Sequence, residues 1–559
     1  MTVLATDSER VSRSFSFGGR VWVLASLLIA GLVLVPLLAL LWQAAQGSEG
    51  LWSHLAAHVL PHALGQTAML MAGVGVLTAL IGTSAAWLVT AHDFPGRRLL
   101  EWALLLPLAV PTYIVAYAYL DLLHPLGPVQ SLVRAVLGYD SPRDFRLPDI
   151  RSMTGAILLL SLVLYPYVYL PTRAMFMTQA GNLVEVARTL GTTRRLIFRR
   201  VALPLARPAI AVGVSLALME TLNDIGASEF LGVRSLTISV YTTWVTRSDL
   251  PGAAQISLAM LLLVVALISL ERWARRRQRY AVSGQRARSF ARERLSRRAG
   301  LAALGLGLLP VIFGFLLPAL YLAVEAWQRF QFAGLSDRLV IEARNTFVLS
   351  ASATVAVLIC GLVVACASRV YPQRSMQIVH RVASLGYAMP GTILALGILI
   401  AAAGVDRWIN QTGRALFGID PGLVLIGSGV ALGYAYLARF LAISIGSVEA
   451  GLTRIPRSYD QSARTLGHGV TGMLAHVHLP LSRAALAAAG LLVFVDCMKE
   501  LSATLLLRPL NFETLATHLY GEAARGTYEE AAIAAWAIVL VGILPVILLA
   551  RVGPANSRP

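Results

Sequence analysis

The sequence predicts an all-α membrane protein of about twelve transmembrane helices, arranged as two parallel six-helix repeats. Three observations lead there. Hydrophobic residues make up 57% of the 559 positions and charged residues 14%, whereas about a quarter of a soluble domain is charged. Apolar runs near twenty residues recur along the chain, the length an α-helix needs to cross about 30 Å of hydrocarbon. Finally, the chain superposes on itself: an offset of 279 residues lays Thr67 on Thr346, Gly82 on Gly361 and Pro111 on Pro390, the mark of an internal repeat.

The first run, at about 22–42, follows Arg10, Arg13 and Arg20. It is too long for a signal-peptide core and lacks a small-residue cleavage site, so it reads as a retained anchor. Runs at about 65–90, 99–123, 153–176, 208–228 and 253–271 complete the first set. Those at about 300–325, 345–368, 381–404, 422–446, 483–503 and 531–551 form the second. Pro36, Pro107, Pro111, Pro166 and Pro390 fall inside runs, which helices in a bundle tolerate. Amphipathicity of period 3.6 is mostly absent within the runs, which together with the prolines argues against a barrel.

The net charge of +18 belongs to topology rather than to nucleic acid. Arginines crowd the segment between the two sets, including Arg272, Arg275, Arg276, Arg277, Arg279, Arg286, Arg288, Arg292, Arg294, Arg297 and Arg298. Such a segment is held on the cytoplasmic side. With an even number of spans before it and after it, both termini are expected in the cytoplasm. The division is then 1–271 for the first repeat, 272–298 for a basic linker and 299–559 for the second. Two halves that enter from the same side relate by an axis along the membrane normal, with a pathway between them. Cys360, Cys366 and Cys497 all lie in apolar runs and suggest neither a disulfide framework nor a metal cluster.

Between the fourth and fifth run of each half the offset becomes 276. There Ala187-Arg188-Thr189-Leu190-Gly191 matches Ala463-Arg464-Thr465-Leu466-Gly467, and Leu203-Pro204-Leu205 matches Leu479-Pro480-Leu481. The pattern predicts a short helix, a glycine stop and a second helix ended near the proline. In Glu185, Ala187, Gly191 and Pro204 this loop resembles the cytoplasmic loop of bacterial ABC-importer permeases. The resemblance implies that the short helix docks in a groove of an ATPase subunit, and the glycine permits the turn. An amphipathic helix resting on the lipid is the alternative, favoured by Arg194, Arg195, Arg199 and Arg200. The second copy carries Gln461 in place of the glutamate, together with Ala463, Gly467 and Pro480, and His468, Gly469 and Gly472 loosen it. Unequal coupling of the halves is therefore expected.

No ATP site is expected in the chain itself, because a P-loop needs Gly-Lys-Ser/Thr and the one lysine, Lys499, precedes Glu500. Charge within a span marks a pathway or a pair. Glu220 and Asp224 follow the first loop, and Asp496, Lys499 and Glu500 follow the second. Acids four apart are expected to share a helix face, so four carboxylates surround the pseudo-twofold axis. Two readings stay open: they line the path, or Lys499 pairs with an acid while the carboxylates cap helices and hold the halves together. Oxygen ligands suit a hard cation such as ferric iron.

Met219 to Gly226 with Glu229-Phe230, and Met498 to Leu501 followed by Leu506 to Phe512, are similar to the fused ferric-iron permease family over nearly the whole chain. That resemblance implies the type I importer permease fold in the bacterial inner membrane. It also implies a periplasmic binding protein, two copies of a cytoplasmic ABC ATPase, and a transport subunit with no catalytic residue and no cofactor of its own. Thiamine, an organophosphonate or a polyamine would be the other cargoes of this class. An ion-coupled carrier with the carboxylates as proton relays is the competing class. His54, His58 and His62 stand at helical spacing suited to metal contact, with Pro61 set to interrupt the helix. The segments Arg508 to Gly526, with Asn511, Glu513, Glu522 and Arg525, and Glu229 to Pro251 are expected as external loops, either facing the binding protein or simply solvated.

Overall fold

The computed structural model describes residues 17–47, 50–178, 193–276 and 292–552. Among them ten helices are long and apolar enough to cross a membrane, and two bent pairs raise the number to twelve if each is one span. The first half comprises α1 (Phe17–Ala45), α2 (Leu60–Ala91), α3 (Arg97–Ala103), α4 (Thr112–Leu122), α5 (Met153–Leu164), α6 (Pro166–Thr178), α7 (Leu203–Asn223), α8 (Gly226–Phe230), α9 (Leu236–Val245) and α10 (Leu250–Arg276). The second comprises α11 (Arg297–Val311), α12 (Leu317–Ala333), α13 (Asp337–Val370), α14 (Arg374–Ala383), α15 (Gly391–Phe417), α16 (Val430–Thr453), α17 (Arg457–Thr465), α18 (Leu479–Met498), α19 (Ser502–Leu507), α20 (Leu515–Arg525) and α21 (Tyr528–Val552). The single ladder joins β1 (His92–Asp93) to β2 (Glu293–Arg294) in parallel. The outward faces carry exposed Leu24, Leu28, Leu80, Val355 and Ile359, apolar surface of a kind that water would penalise and lipid accepts.

Prolines shape the helices in two ways. A π-turn ends two residues before Pro61, Pro204, Pro318 and Pro480. The wider turn absorbs the missing N–H and the ring's clash with the preceding turn, so the helix runs on. Pro61 therefore does not interrupt the helix through Trp52–Ala91, and neither Pro204 nor Pro480 ends its helix as the sequence suggested. By contrast, Pro111 and Pro390 stand just ahead of α4 and α15 after a tight 3₁₀ turn. The expected straight run at 99–123 is accordingly two helical pieces meeting at 90°. The run expected at 381–404 starts its long helix only at Gly391, and the one expected at 422–446 sits later, at Val430–Thr453.

Each half lends its opening helix to the other. α1 packs on α13, α14 and α15, while α11 packs on α3 and α12 on α4 and α21. Small residues let the backbones touch: a Cβ at Gly397 would collide with the Pro36 carbonyl oxygen, and one at Gly314 with that of Leu162. The Tyr119 hydroxyl donates to the Phe313 carbonyl at 2.6 Å, and the Tyr434 hydroxyl to that of Leu32. Since a carbonyl cannot yield as a side-chain tip can, Gly397→Leu is expected to cost about 1–3 kcal/mol, read as a lowered thermal midpoint of the purified protein in detergent.

The repeat also recurs in hydrogen bonds. The Leu236 N–H donates to Thr67 Oγ1 at 2.9 Å, and 279 residues on the Leu515 N–H donates to Thr346 Oγ1 at 2.9 Å. Both bonds pin the start of a short helix, α9 or α20, to a long one, α2 or α13. The segments expected as external loops are thus built around packed helices. Glu522 is buried and engaged by Arg525 at 2.6 Å and the Thr527 hydroxyl at 2.5 Å, which withdraws it from any partner.

Candidate functional site: an acidic cavity at four helix breaks

Four chain breaks meet at the centre. The α7 helix stops at Asn223 because Asp224 turns extended, with φ −77° and ψ 110°, and α18 stops at Met498. The other two are the proline turns ahead of α4 and α15. Together they bound a cavity of about 130 Å³, onto which Pro111, Thr112, Tyr113 and Pro390 open from the turns. Glu220 and Asn223 reach it from α7 and Asp224 from just beyond its end, while Asp496 reaches it from α18 and Lys499 and Glu500 from just beyond that one. Arg439 of α16, with Tyr167 and Tyr387, completes the ring. A volume of this size admits several waters.

All five residues singled out in the sequence reach this cavity, but not on shared helix faces. The helices end between Glu220 and Asp224 and between Asp496 and Glu500, so each second acid sits beyond its break. There it caps the next short helix. Asp224 accepts the Ala227 N–H at 2.7 Å and the Thr112 hydroxyl, and Glu500 accepts the Ala503 N–H at 3.0 Å. Carboxylates at helix starts satisfy orphan donors. Lys499 Nζ lies 2.8 Å from Asp496 Oδ1, and Arg439 Nη1 lies 3.3 Å from Glu500 Oε1. Glu220 has no hydrogen bond or ion pair among the described residues. Four carboxylates against two cations leave the cavity a formal charge of −2.

Asn223 joins the halves here. Its Oδ1 accepts the Gly391 N–H at 2.7 Å and Arg439 Nη1 at 2.9 Å, and its carbonyl accepts the Ser502 hydroxyl at 2.8 Å. The Tyr113 hydroxyl crosses the same seam to the Lys499 carbonyl at 3.3 Å. Sequence reasoning missed Arg439, although a lone arginine inside the run at 422–446 was a readable signal. Thr112, Tyr113 and Asn223 carry no such signal, being ordinary residues made polar partners by the breaks. Arg439 has no counterpart in the first half, where the offset of 276 lands on Val163.

Of the loop residues, Glu185, Ala187 and Gly191 lie outside the described residues. The second copy is a short helix, α17, carrying Gln461 and a buried Ala463. It ends at Gly467, whose φ of +82° suits glycine, with the His468 N–H returning to the Ala463 carbonyl at 3.0 Å and the Gly467 N–H to Arg464 at 3.0 Å, a Schellman stop. Tyr459 and Leu466 are exposed on it. Its root is clamped: Arg369 Nε donates to Asp460 Oδ2 at 2.8 Å, Nη2 to the Ile455 carbonyl at 2.8 Å and Nη1 to that of Leu452. His478 Nε2 meets Asp460 Oδ1 at 2.9 Å. In the first half the matching positions are Thr90, Val184 and Ala202, so this clamp cannot form there.

Of the three spaced histidines, His54 and His58 stack with ring centroids 5.0 Å apart. No group of three metal-ligating side chains occurs among the described residues.

The family model for the binding-protein-dependent transport system inner membrane component matches residues 75–280. The chain is 23% identical to an Fe(3+)-transport system permease of Haemophilus influenzae, over 87% of this chain and 89% of that protein. It is 29% identical to a putative 2-aminoethylphosphonate transport system permease of Salmonella choleraesuis, over 45% of this chain and 91% of that one. It is 28% identical to a sulfate transport system permease of Salmonella typhimurium, over 49% and 99%.

Proposed function

We propose, from the premise that this chain is a multi-pass inner-membrane permease of the binding-protein-dependent ABC importers, that the cargo it passes inward is ferric iron. The observation that carries the cargo is the charge of the central cavity. Four carboxylates facing two cations suit a hard, oxygen-seeking cation, whereas sulfate or a phosphonate would be repelled by the same field. The relative that spans nearly the whole chain is an Fe(3+)-transport permease, which supports the same reading.

In this reading residues 1–271 and 299–559 are the two permease repeats, joined by the basic linker 272–298, with both termini in the cytoplasm. A periplasmic binding protein delivers the cargo. Two copies of a separate ATPase engage the two loops, at Glu185, Ala187, Gly191 and Pro204 and at Gln461, Ala463, Gly467 and Pro480. Their closure rocks the halves about the seam at Asn223. The chain performs no covalent chemistry and carries no cofactor. Glu220 offers the passing ion its free carboxylate, while Asp224, Asp496 and Glu500 hold the breaks in place and set the field.

The test is ATP hydrolysis by the permease and its ATPase in liposomes, with binding protein that is iron-loaded, empty, or mixed with sulfate or phosphonate. Stimulation by the iron-loaded form alone is expected, and equal stimulation by the empty form would overturn the cargo. Because Glu220 neither caps nor pairs, Glu220→Gln is expected to leave the thermal midpoint unchanged yet lower iron uptake at least tenfold. Unchanged uptake would remove it from the path.

A further inference from the structure

At the linker end of the bundle the chain builds a second, oppositely charged cavity. The pairing of β1 with β2, extended by the Leu295 N–H to the Asp93 carbonyl at 3.0 Å, draws Arg292 and Arg294 against the turn that opens α3. They line an open cavity of about 510 Å³ with Asp93, Gly96, Arg97 and Arg98. Four guanidiniums to one carboxylate leave a formal charge of +3.

Nearby acids do not neutralise it. Arg97 is only 8% exposed and is held by Glu101 at 3.1 Å and Asp93 at 3.4 Å. Glu101 is also taken by Arg173. The guanidiniums of Arg98, Arg292 and Arg294 form no ion pair or hydrogen bond among the described residues. Burial, and then the neighbouring Arg97 guanidinium, push Arg292 below the ordinary arginine value, as crowded like charges do. The retention of positive charge on one side of the membrane accounts for arginines at this end. It does not account for their convergence in one cavity through a strand pairing between segments some two hundred residues apart.

We infer that this cavity binds the phosphate of an anionic phospholipid headgroup. Guanidinium forks match phosphate oxygens in pairs, and basic pockets at the cytoplasmic ends of helices take such headgroups. Leu99, next to Arg98 on α3, and Leu301, next to Gly300 where α11 packs on Pro95, are exposed and offer an apolar surface to acyl chains, which a free phosphate would not use. The placement in the cytoplasmic leaflet rests on the topology proposed above. A bound headgroup would join β2 and α11, the crossing helix of the second half, to α3 of the first. Contact is already close there, since a Cβ at Gly300 would lie 3.1 Å from Pro95.

The experiment uses the full permease with its ATPase in nanodiscs and follows lipid retained after delipidation by native mass spectrometry. Phosphatidylglycerol discs are compared with phosphatidylcholine discs, for the natural chain and for an Arg98→Gln/Arg292→Gln/Arg294→Gln variant. Phosphatidylglycerol is expected to remain bound and to raise the thermal midpoint, with at least tenfold weaker retention in the variant. In phosphatidylcholine discs the midpoints of the two chains should agree, which shows the variant folds. Equal retention of both lipids, or of phosphatidylglycerol by both chains, would overturn the site. A midpoint rise with inorganic phosphate in phosphatidylcholine discs would assign the cavity to a soluble phosphate and overturn the lipid. None of these readings depends on transport or cargo.

Discussion

Replacing Arg439 with methionine is expected to destabilise the assembled permease by about 3–5 kcal/mol, the cost of leaving one partner of a buried ion pair uncompensated, and to abolish uptake. Arg439 and Glu500 are 8% and 6% exposed, and the guanidinium is shared between Glu500 and Asn223. Its loss strands a carboxylate and frees the α7 break from the α16 side at once. Methionine keeps most of the volume, so packing alone would cost far less. The check is a double-mutant cycle: Glu500→Gln added to Arg439→Met should recover most of the thermal midpoint, since an amide still accepts the Ala503 N–H and the carboxylate that Arg439 paired is gone. Uptake should stay low in the double variant, because the seam at Asn223 is still short of one donor. If the single variant keeps its midpoint, the pair is not the latch described here.

The spans were legible because lipid imposes one rule on every residue facing it, and an apolar run of sufficient length has few other uses. The site residues were legible for the complementary reason: Glu220, Asp224, Asp496, Lys499 and Glu500 are costly in such runs. What the runs hid was where a helix stops inside one. Pro480 and Pro390 look alike in sequence, yet a π-turn carries the helix through the first, while a 3₁₀ turn at 385–388 breaks it before the second. The difference lies in what packs around the turn. At Gly386 a Cβ would collide with the Ala438 carbonyl, a tertiary contact invisible to local pattern. The expected face-sharing of Glu220 with Asp224 failed for the same reason, since Asp224 lies beyond the end of α7 and takes its place from Thr112, in another segment.

Unequal coupling of the two loops is expected from Gln461 and the extra glycines. In the described second copy, however, the feature set against the first half is a clamp rather than a looseness. Arg369→Leu is expected to keep ATP hydrolysis within about twofold while lowering uptake per ATP at least tenfold. The reason is geometric. Arg369 ties the root of α17 to the ends of α13 and α16, and His478 ties it to the helix that becomes α18. That helix runs unbroken from Val470 to Met498 over 29 residues, about 43 Å of rod at 1.5 Å per residue, and delivers Asp496 and Lys499 to the cavity. In the proposed reading a push on α17 reaches the cavity through this clamp, so coupling depends on Asp460. Burial alone would raise the Asp460 carboxyl, but hydrogen bonds from Arg369 and His478 outweigh it and hold the group below the usual range. A depressed acid contributes in full above its ordinary value, near 4, and is lost only as pH falls through the lower folded value; the clamp thus persists through the physiological range. Exchanging the charges, Arg369→Asp with Asp460→Arg, should restore part of the coupling that Arg369→Asp alone removes. If neither single change alters uptake per ATP, the second loop transmits its motion by another route.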